Sequence, residues 1–276
     1  YGLFGIPAHD SASQLLFAGL RFTLAGALVI IGMSAAQRRP LIPQARDIKP
    51  IFVLSLFQTI GQYFFFYLGL SCASAMSSSI IEASANFLAI LFAALAFHTE
   101  RLNTPKVLGC VLGFAGVALV NLSGADGTFG FTLDGEGFIL ASTVAGALST
   151  CLIGIFSREH DGVLLAGWQF LVGGVVLTAI GFLMGGTLSP TEIAPAIALI
   201  IYMALISAVA YSLWSRLLAV NPVSRVSVFG FMNPVFGVVL SALLLGEGAG
   251  TSPVTVIVAL LLVCGGIIIV NKPKKA

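Results

Sequence analysis

Ala18-Gly19-Leu20-Arg21-Phe22, followed by Gly26, is written a second time as Ala166-Gly167-Trp168-Gln169-Phe170, followed by Gly174. Other landmarks recur at nearly the same offset. Asn86 and Glu100 return as Asn233 and Glu247. Each copy closes on a glycine-rich apolar run ending in asparagine: Gly113, Gly116 and Asn121, then Gly265, Gly266 and Asn271. Self-similarity held at one offset marks an internal repeat. Both copies consist of membrane-length apolar segments, and a duplicated set of spans is a common plan of secondary transporters.

Composition sets the class. The chain is 58% hydrophobic and 9% charged, with a mean hydropathy of +1.05. A soluble domain carries about 25% charged residues, so a folded core could not hide this much apolar surface. The runs are continuous rather than alternating, which excludes a β-barrel. The expected fold class is all-α, a polytopic helical bundle in the membrane. Nine stretches can cross a bilayer: 11–34, 50–71, 74–97, 105–122, 134–157, 162–184, 194–218, 223–245 and 253–270. Each approaches the roughly 20 residues a span requires.

Charge sets the orientation. Arg38, Arg39, Arg46, Lys49, Arg101, Lys106, Arg158, Arg216, Arg225, Lys272, Lys274 and Lys275 all fall on one side if the spans alternate. The opposite loops carry Asp10, Asp126, Asp134, Glu136, Glu192 and Glu247. The positive side, with the C-terminus, is expected to be cytoplasmic. The second copy, 134–270, holds five spans, and the first, 1–122, holds four. The missing mate is expected before residue 11, with Tyr1–Ile6 as its end. Five spans per copy is an odd number, so the two copies enter the membrane from opposite sides.

These motifs resemble the drug/metabolite transporter superfamily, EamA-like family. That pattern has ten spans in two inverted five-span copies. An Ala-x-x-Arg-Phe stretch in its second span is matched by Ala18–Phe22. Its fourth and ninth spans carry a proline thirteen residues before a glutamate, matched by Pro234 and Glu247; in the first copy Phe87 replaces the proline and only Glu100 matches. The resemblance implies a ten-span fold with its first span missing or truncated here. It implies transport of a small molecule such as an amino acid, amine or nucleoside. A bacterial cytoplasmic (inner) membrane location goes with it.

Glu82 is the leading site candidate. At 1.5 Å per residue it sits roughly 12 Å inside its span, and an ionisable group there costs about 2.5–3.5 kcal/mol on insertion scales. The second copy has Phe229 in its place, so the carboxylate is no feature of the duplicated architecture. Ser78, Glu82 and Asn86 share one helix face. The bland alternative is a helix-packing hydrogen bond. Arg21 is the one cation deep in a span, at a depth like that of Glu82. A buried pair would hold Glu82 ionised, whereas an unpaired Glu82 could exchange protons; the unpaired form is expected. Because Arg21 matches a family-wide feature, its leading role is structural.

Ser55, Gln58, Thr59 and Gln62 give span 50–71 a polar face, with Tyr63 to Tyr67 beside it. Its counterpart offers Tyr202, Tyr211 and Trp214. Aromatic rings opposite a carboxylate suit an organic cation, although Trp214 could be an interface anchor. Gln58, Gln62, Glu82, Asn86, Tyr211 and Asn233 are expected to line one cavity. Interhelical hydrogen bonding is the competing reading of the glutamines. Ser142, Thr143, Ser149 and Thr150 make a further weakly polar face. Glu100 and Glu247 read as fold residues or gate caps. Cys72, Cys110, Cys151 and Cys264 read as small packing residues.

The function expected is secondary transport by alternating access, with protons as a candidate coupling ion. A passive facilitator is the alternative. An intramembrane enzyme would need a catalytic pair at matched depth, and no His or Asp lies well inside a span. No cofactor, metal or nucleic-acid partner is expected. The partners are a small-molecule substrate and the lipid bilayer, with a homodimer admitted. Gly124-Ala125-Asp126-Gly127 lacks the Gly-Lys-Ser/Thr of a phosphate loop.

Overall fold

A computed structural model describes residues 2–7, 9–73, 75–123, 132–245 and 253–272. Glu247, the segment Gly124 to Gly127, and the tail residues Lys274 and Lys275 lie outside them. The described residues are helical, with no β-strand among them.

Among the described residues, nine helical segments fall on the nine expected stretches. They are α1 (Ser11–Gln37), α2 (Ala45–Leu70), α3 (75–96), α4 (Thr104–Ser123), α5 (Leu133–Phe156), α6 (Gly162–Leu183), α7 (Ile193–Val220), α8 (223–245) and α9 (Pro253–Asn271). Among the described residues, seven helices are long and apolar enough to cross a membrane: α1, α2, α3, α5, α6, α7 and α9.

Local chemistry sets the ends and breaks. Asp10 caps α1 by accepting from the Ser13 amide at 3.1 Å. Asp161 caps α6 by accepting from Val163 and Leu164. α1 stops at Arg38, which takes a left-handed φ of 52°. Ser55–Gly61 within α2 winds as a π-helix. α8 is interrupted by a 3-10 turn at Val228–Phe231. Pro234 follows that turn. Proline has no amide to give the residue four back and its ring clashes with that carbonyl, so a regular helix through Gly230 is disfavoured.

The chain divides into two compact units, and both sequence copies contribute to each. Unit 1 is 1–72 with 152–220 and holds α1, α2, α6 and α7. Unit 2 is 73–151 with 221–276 and holds α3, α4, most of α5, α8 and α9.

Unit 1 is built around the antiparallel crossing of α1 and α6. The repeated glycines are the crossing points. A Cβ placed on Gly26 would lie 2.4 Å from the Leu171 nitrogen and 2.6 Å from the Gly167 carbonyl oxygen. One placed on Gly174 would lie 2.3 Å from the Thr23 nitrogen and 2.9 Å from the Gly19 carbonyl oxygen. An offset of 148 residues carries Gly19, Thr23 and Gly26 onto Gly167, Leu171 and Gly174. The two sets of contacts therefore exchange under a local two-fold. Without side chains between them the backbones meet directly, which is how helices gain contact in lipid. Leu15, Ala18, Phe22, Tyr67, Phe170 and Leu177 form the adjoining core.

Unit 2 repeats the device with α4 and α9. A Cβ on Gly116 would lie 2.8 Å from the Ala259 oxygen, and one on Gly266 would lie 2.5 Å from the Gly109 oxygen. Here an offset of 150 exchanges the pair. Phe231, from the 3-10 turn of α8, packs on Gly113 and anchors a core with Val117, Val228, Val235 and Val263.

Cys110 and Cys151 are buried, as packing residues should be, and Cys151 donates to the Ala89 carbonyl at 3.2 Å. Cys72 departs from that reading. It is exposed, because it lies past the end of α2, beside the Ser71 hydroxyl at 3.5 Å.

Candidate functional site

The residues singled out in the sequence divide between the units. Glu82, Ser78, Asn86 and Asn233 belong to unit 2. Arg21, Gln58, Gln62, Tyr63, Tyr211 and Trp214 belong to unit 1.

In unit 2, α3 carries Ser78, Glu82 and Asn86 on successive turns. Glu82 is half-buried. The ion pairs among the described residues are Arg46–Asp47, Lys106–Glu100 and His160–Asp47, so Glu82 takes part in none. No hydrogen bond reaches it from the described residues of its unit either. One turn away, the Ser78 hydroxyl is buried and has no hydrogen-bond partner among the described residues. Asn86 donates to the Ala83 carbonyl at 3.3 Å and lies directly against Gly230, where any Cβ would meet its amide. The glycine in the broken turn of α8 thus makes room for the Asn86 side chain. Asn233 is exposed.

Glu100 sits just beyond α3 and has a different environment. Lys106 donates to it at 2.6 Å, and Ser224 donates both its amide, at 3.1 Å, and its hydroxyl. The carboxylate closes the start of α8, where free amides favour negative charge. Burial pushes its pKa up, but the bonds from Lys106 and Ser224 outweigh this and hold it below the usual value. Glu100 is a helix cap and brace, in line with its reading as a fold residue.

In unit 1, Gln58 is buried and accepts a hydrogen bond from the Gln169 amide. The Ser55 hydroxyl bonds to Ile51 O at 2.8 Å and to Gln169 O at 3.1 Å. The π-helical stretch of α2 therefore ties itself to α6, which is the interhelical bonding weighed against a site role. Gln62, a turn further on, is half-buried. Tyr63 and Tyr211 share a hydrogen bond of 2.8 Å. Phe22 stacks on Phe170 at 5.1 Å and lies 4.4 Å from Tyr63, and Tyr211 meets Phe170 edge-on at 4.7 Å. The Arg21 guanidinium rests on this cluster, 4.5 Å from the Phe22 ring and 5.9 Å from that of Tyr63. Aromatic faces stabilise a desolvated cation. The Arg21 Nε is buried without a hydrogen-bond partner among the described residues. Trp214 is half-buried, and Tyr202 is 61% exposed, as a lipid-facing residue would be.

Two contacts escaped sequence reading. His160 Nδ1 lies 2.6 Å from Asp47 Oδ1, and Trp168 Nε1 donates to the Leu41 carbonyl at 2.8 Å. Together they fasten the segment after α1 to the start of α6. One signal was available: Asp47 is the single acid among Arg38, Arg39, Arg46 and Lys49. Three of the four residues on the weakly polar face of α5 bond to their own helix, Thr143 to Ile139 O and Ser149 and Thr150 to Gly146 O, while the Ser142 hydroxyl is buried with no hydrogen-bond partner among the described residues.

Membrane-length helices crossing on glycines, with Glu82 unpaired inside a span among the described residues, define a polytopic helical membrane protein. The sequence model of the EamA-like transporter family matches residues 2–122 and again 133–272, and the chain belongs to that family. It is 27% identical over 95% of its length to the uncharacterized transporter YvbV of Bacillus subtilis, covering 84% of that protein. It is 26% identical to the WAT1-related protein At3g02690, chloroplastic, of Arabidopsis thaliana, over 87% of this chain and 58% of the relative. A probable amino-acid metabolite efflux pump of Salmonella typhimurium is 25% identical over 84% of this chain and 78% of its own. A solved structure, titled only as the crystal structure of a protein, superposes with a TM-score of 0.77 at 21% identity, covering 97% of this chain and 89% of the other; it shares the fold.

Proposed function

We propose that this protein is a secondary transporter of a small polar metabolite, of the amino-acid, amine or nucleoside class, working by alternating access in the bacterial cytoplasmic membrane. Its C-terminus faces the cytoplasm, on the side of the Lys and Arg residues. The chain is read as an inverted repeat, 1–122 and 134–270, of a ten-span fold. The local two-folds at Gly26/Gly174 and Gly116/Gly266 support that reading, as does the family's double match.

The observation that carries the proposal is Glu82. A carboxylate within a span, with no ion pair or hydrogen bond in its unit, is expensive unless it serves a ligand. In this reading Glu82 holds the substrate's cationic group or the coupling proton, with Ser78, Asn86 and Asn233 as neutral polar neighbours. Gln62, Tyr63, Tyr211 and Trp214 supply the polar and aromatic surface of unit 1, and Gln58 holds α2 to α6 beneath it. Arg21 is a positioning residue on the aromatic cluster. The amino-acid class draws support from the name of the Salmonella relative.

The test is radiolabelled uptake by purified protein in liposomes, screened over amino acids, amines and nucleosides under an imposed pH gradient. Glu82→Gln should abolish gradient-driven accumulation or lower substrate affinity at least ten-fold. Unchanged affinity together with fully pH-driven transport would remove Glu82 from the mechanism.

A further inference from the structure

Unit 1 contains a groove of about 470 Å³ that the transport reading does not use. Its walls come from the C-terminal halves of α1 and α7, with Val163 of α6 at its edge. Along α7 the lining residues Leu205, Val209, Ser212 and Arg216 form one stripe of about three turns, or roughly 16 Å. The stripe is apolar for most of its length and ends on a cation. Across from it, Gly32 and Met33 contribute the α1 wall. Gly32 has no heavy atom within 4 Å of where a Cβ would stand, so this glycine opens the floor of the groove. In that it differs from the crossing glycines of the same helix.

Arg216 is exposed and takes part in none of the ion pairs among the described residues. It lies four residues before the end of α7, at the same end of the unit as Arg38 and Arg39 beyond α1. A cation there is at the depth of lipid headgroups, while the apolar stripe is at the depth of acyl chains. The groove thus offers an acyl-sized apolar channel leading to one uncompensated positive charge.

We infer that this groove is a binding site for one anionic phospholipid, with an acyl chain along the Leu205–Val209 stripe over Gly32 and the phosphate at Arg216. A zwitterionic lipid would fill the same channel but return less to the cation, since its own ammonium competes for the phosphate. The difference expected is about five-fold, the contribution of one cation at an anionic membrane surface.

Native mass spectrometry of the delipidated protein, titrated with phosphatidylglycerol or phosphatidylcholine in detergent, tests this. The wild type should retain one phosphatidylglycerol about five-fold more strongly than phosphatidylcholine. Arg216→Gln, a change at an exposed position, should bring the two lipids level. Gly32→Phe should weaken both, by filling the channel. Equal retention of the two lipids by the wild type would overturn the assignment, and so would a preference that survives Arg216→Gln. A protein dimer that Gly32→Phe dissolves with lipid retention unchanged would assign the groove to a second copy of the chain and equally defeat it.

Discussion

The crossing of α1 and α6 makes a quantitative prediction about three chemically identical substitutions on one helix pair. Gly26→Ala places a methyl 2.4 Å from one backbone atom of α6 and 2.6 Å from another. Gly174→Ala does the same against α1, at 2.3 and 2.9 Å. Ordinary contact is about 3.5–4 Å, so the helices must part by roughly 1 Å. A gap of that size forfeits a quarter to a half of each dispersion contact it opens. With the overpacking strain itself, each variant should lose about 2–4 kcal/mol. Gly32→Ala meets nothing within 4 Å and should gain about 0.5–1 kcal/mol from the better helix propensity of alanine. The double variant Gly26→Ala/Gly174→Ala should cost less than the sum, because the first methyl has already parted the helices for the second. Reversible unfolding in mixed micelles, followed by circular dichroism against denaturant fraction, measures all four. Equal stabilities for the three single variants would refute the crossing, and strict additivity in the double would refute the shared gap.

The buried glutamine pair predicts an asymmetry. Gln58→Leu should cost about 1–3 kcal/mol in the same unfolding assay, because it strands the Gln169 amide, and Gln58→Leu/Gln169→Leu should recover part of that loss. The Glu100 brace predicts a pH signature. Its folded-state pKa is lowered, so its stabilisation is present above the unfolded value of about 4.3 and is lost as pH falls through the folded one. Glu100→Gln should therefore cost about 1–2 kcal/mol at pH 7, and the gap to wild type should close as the pH drops below about 4. A gap constant from pH 7 to 3 would contradict it.

Much of this fold is written plainly. Each apolar run is long, its ends are marked by charge or proline, and the nine helical segments fall on the expected stretches. The repeated glycines flagged the duplication, but not that Gly26 packs on the α6 backbone and Gly174 on that of α1; only three-dimensional pairing separates Gly26 from Gly32 on the same helix. Pro234 marked a motif, and its consequence, the 3-10 turn that leaves Gly230 against Asn86, depends on packing across unit 2. Glu82 stood out because a lone carboxylate in a span has a cost that can be read from hydropathy. Gln58 stood out for the same reason, yet its partner Gln169 lies 111 residues away. The His160–Asp47 contact left only a faint signal, since both residues sit at span ends where charge is cheap, and Asp47 as the single acid among Arg38, Arg39, Arg46 and Lys49 does not name its partner. Arg21 invited a search for an anion, whereas its nearest stabilising neighbours are the rings of Phe22 and Tyr63, which no charge pattern reveals.

The central claim is that this chain is a carrier and not a pore, and counterflow in proteoliposomes tests it most directly. Vesicles loaded with an excess of one unlabelled metabolite from the panel are diluted into a trace of the labelled form, with no pH gradient imposed. Alternating access predicts a transient overshoot of internal label above the external concentration, because each outward passage of unlabelled substrate returns a binding site for label. An open channel would let the label rise only to equality, and that result, for every substrate the protein passes, would contradict the account.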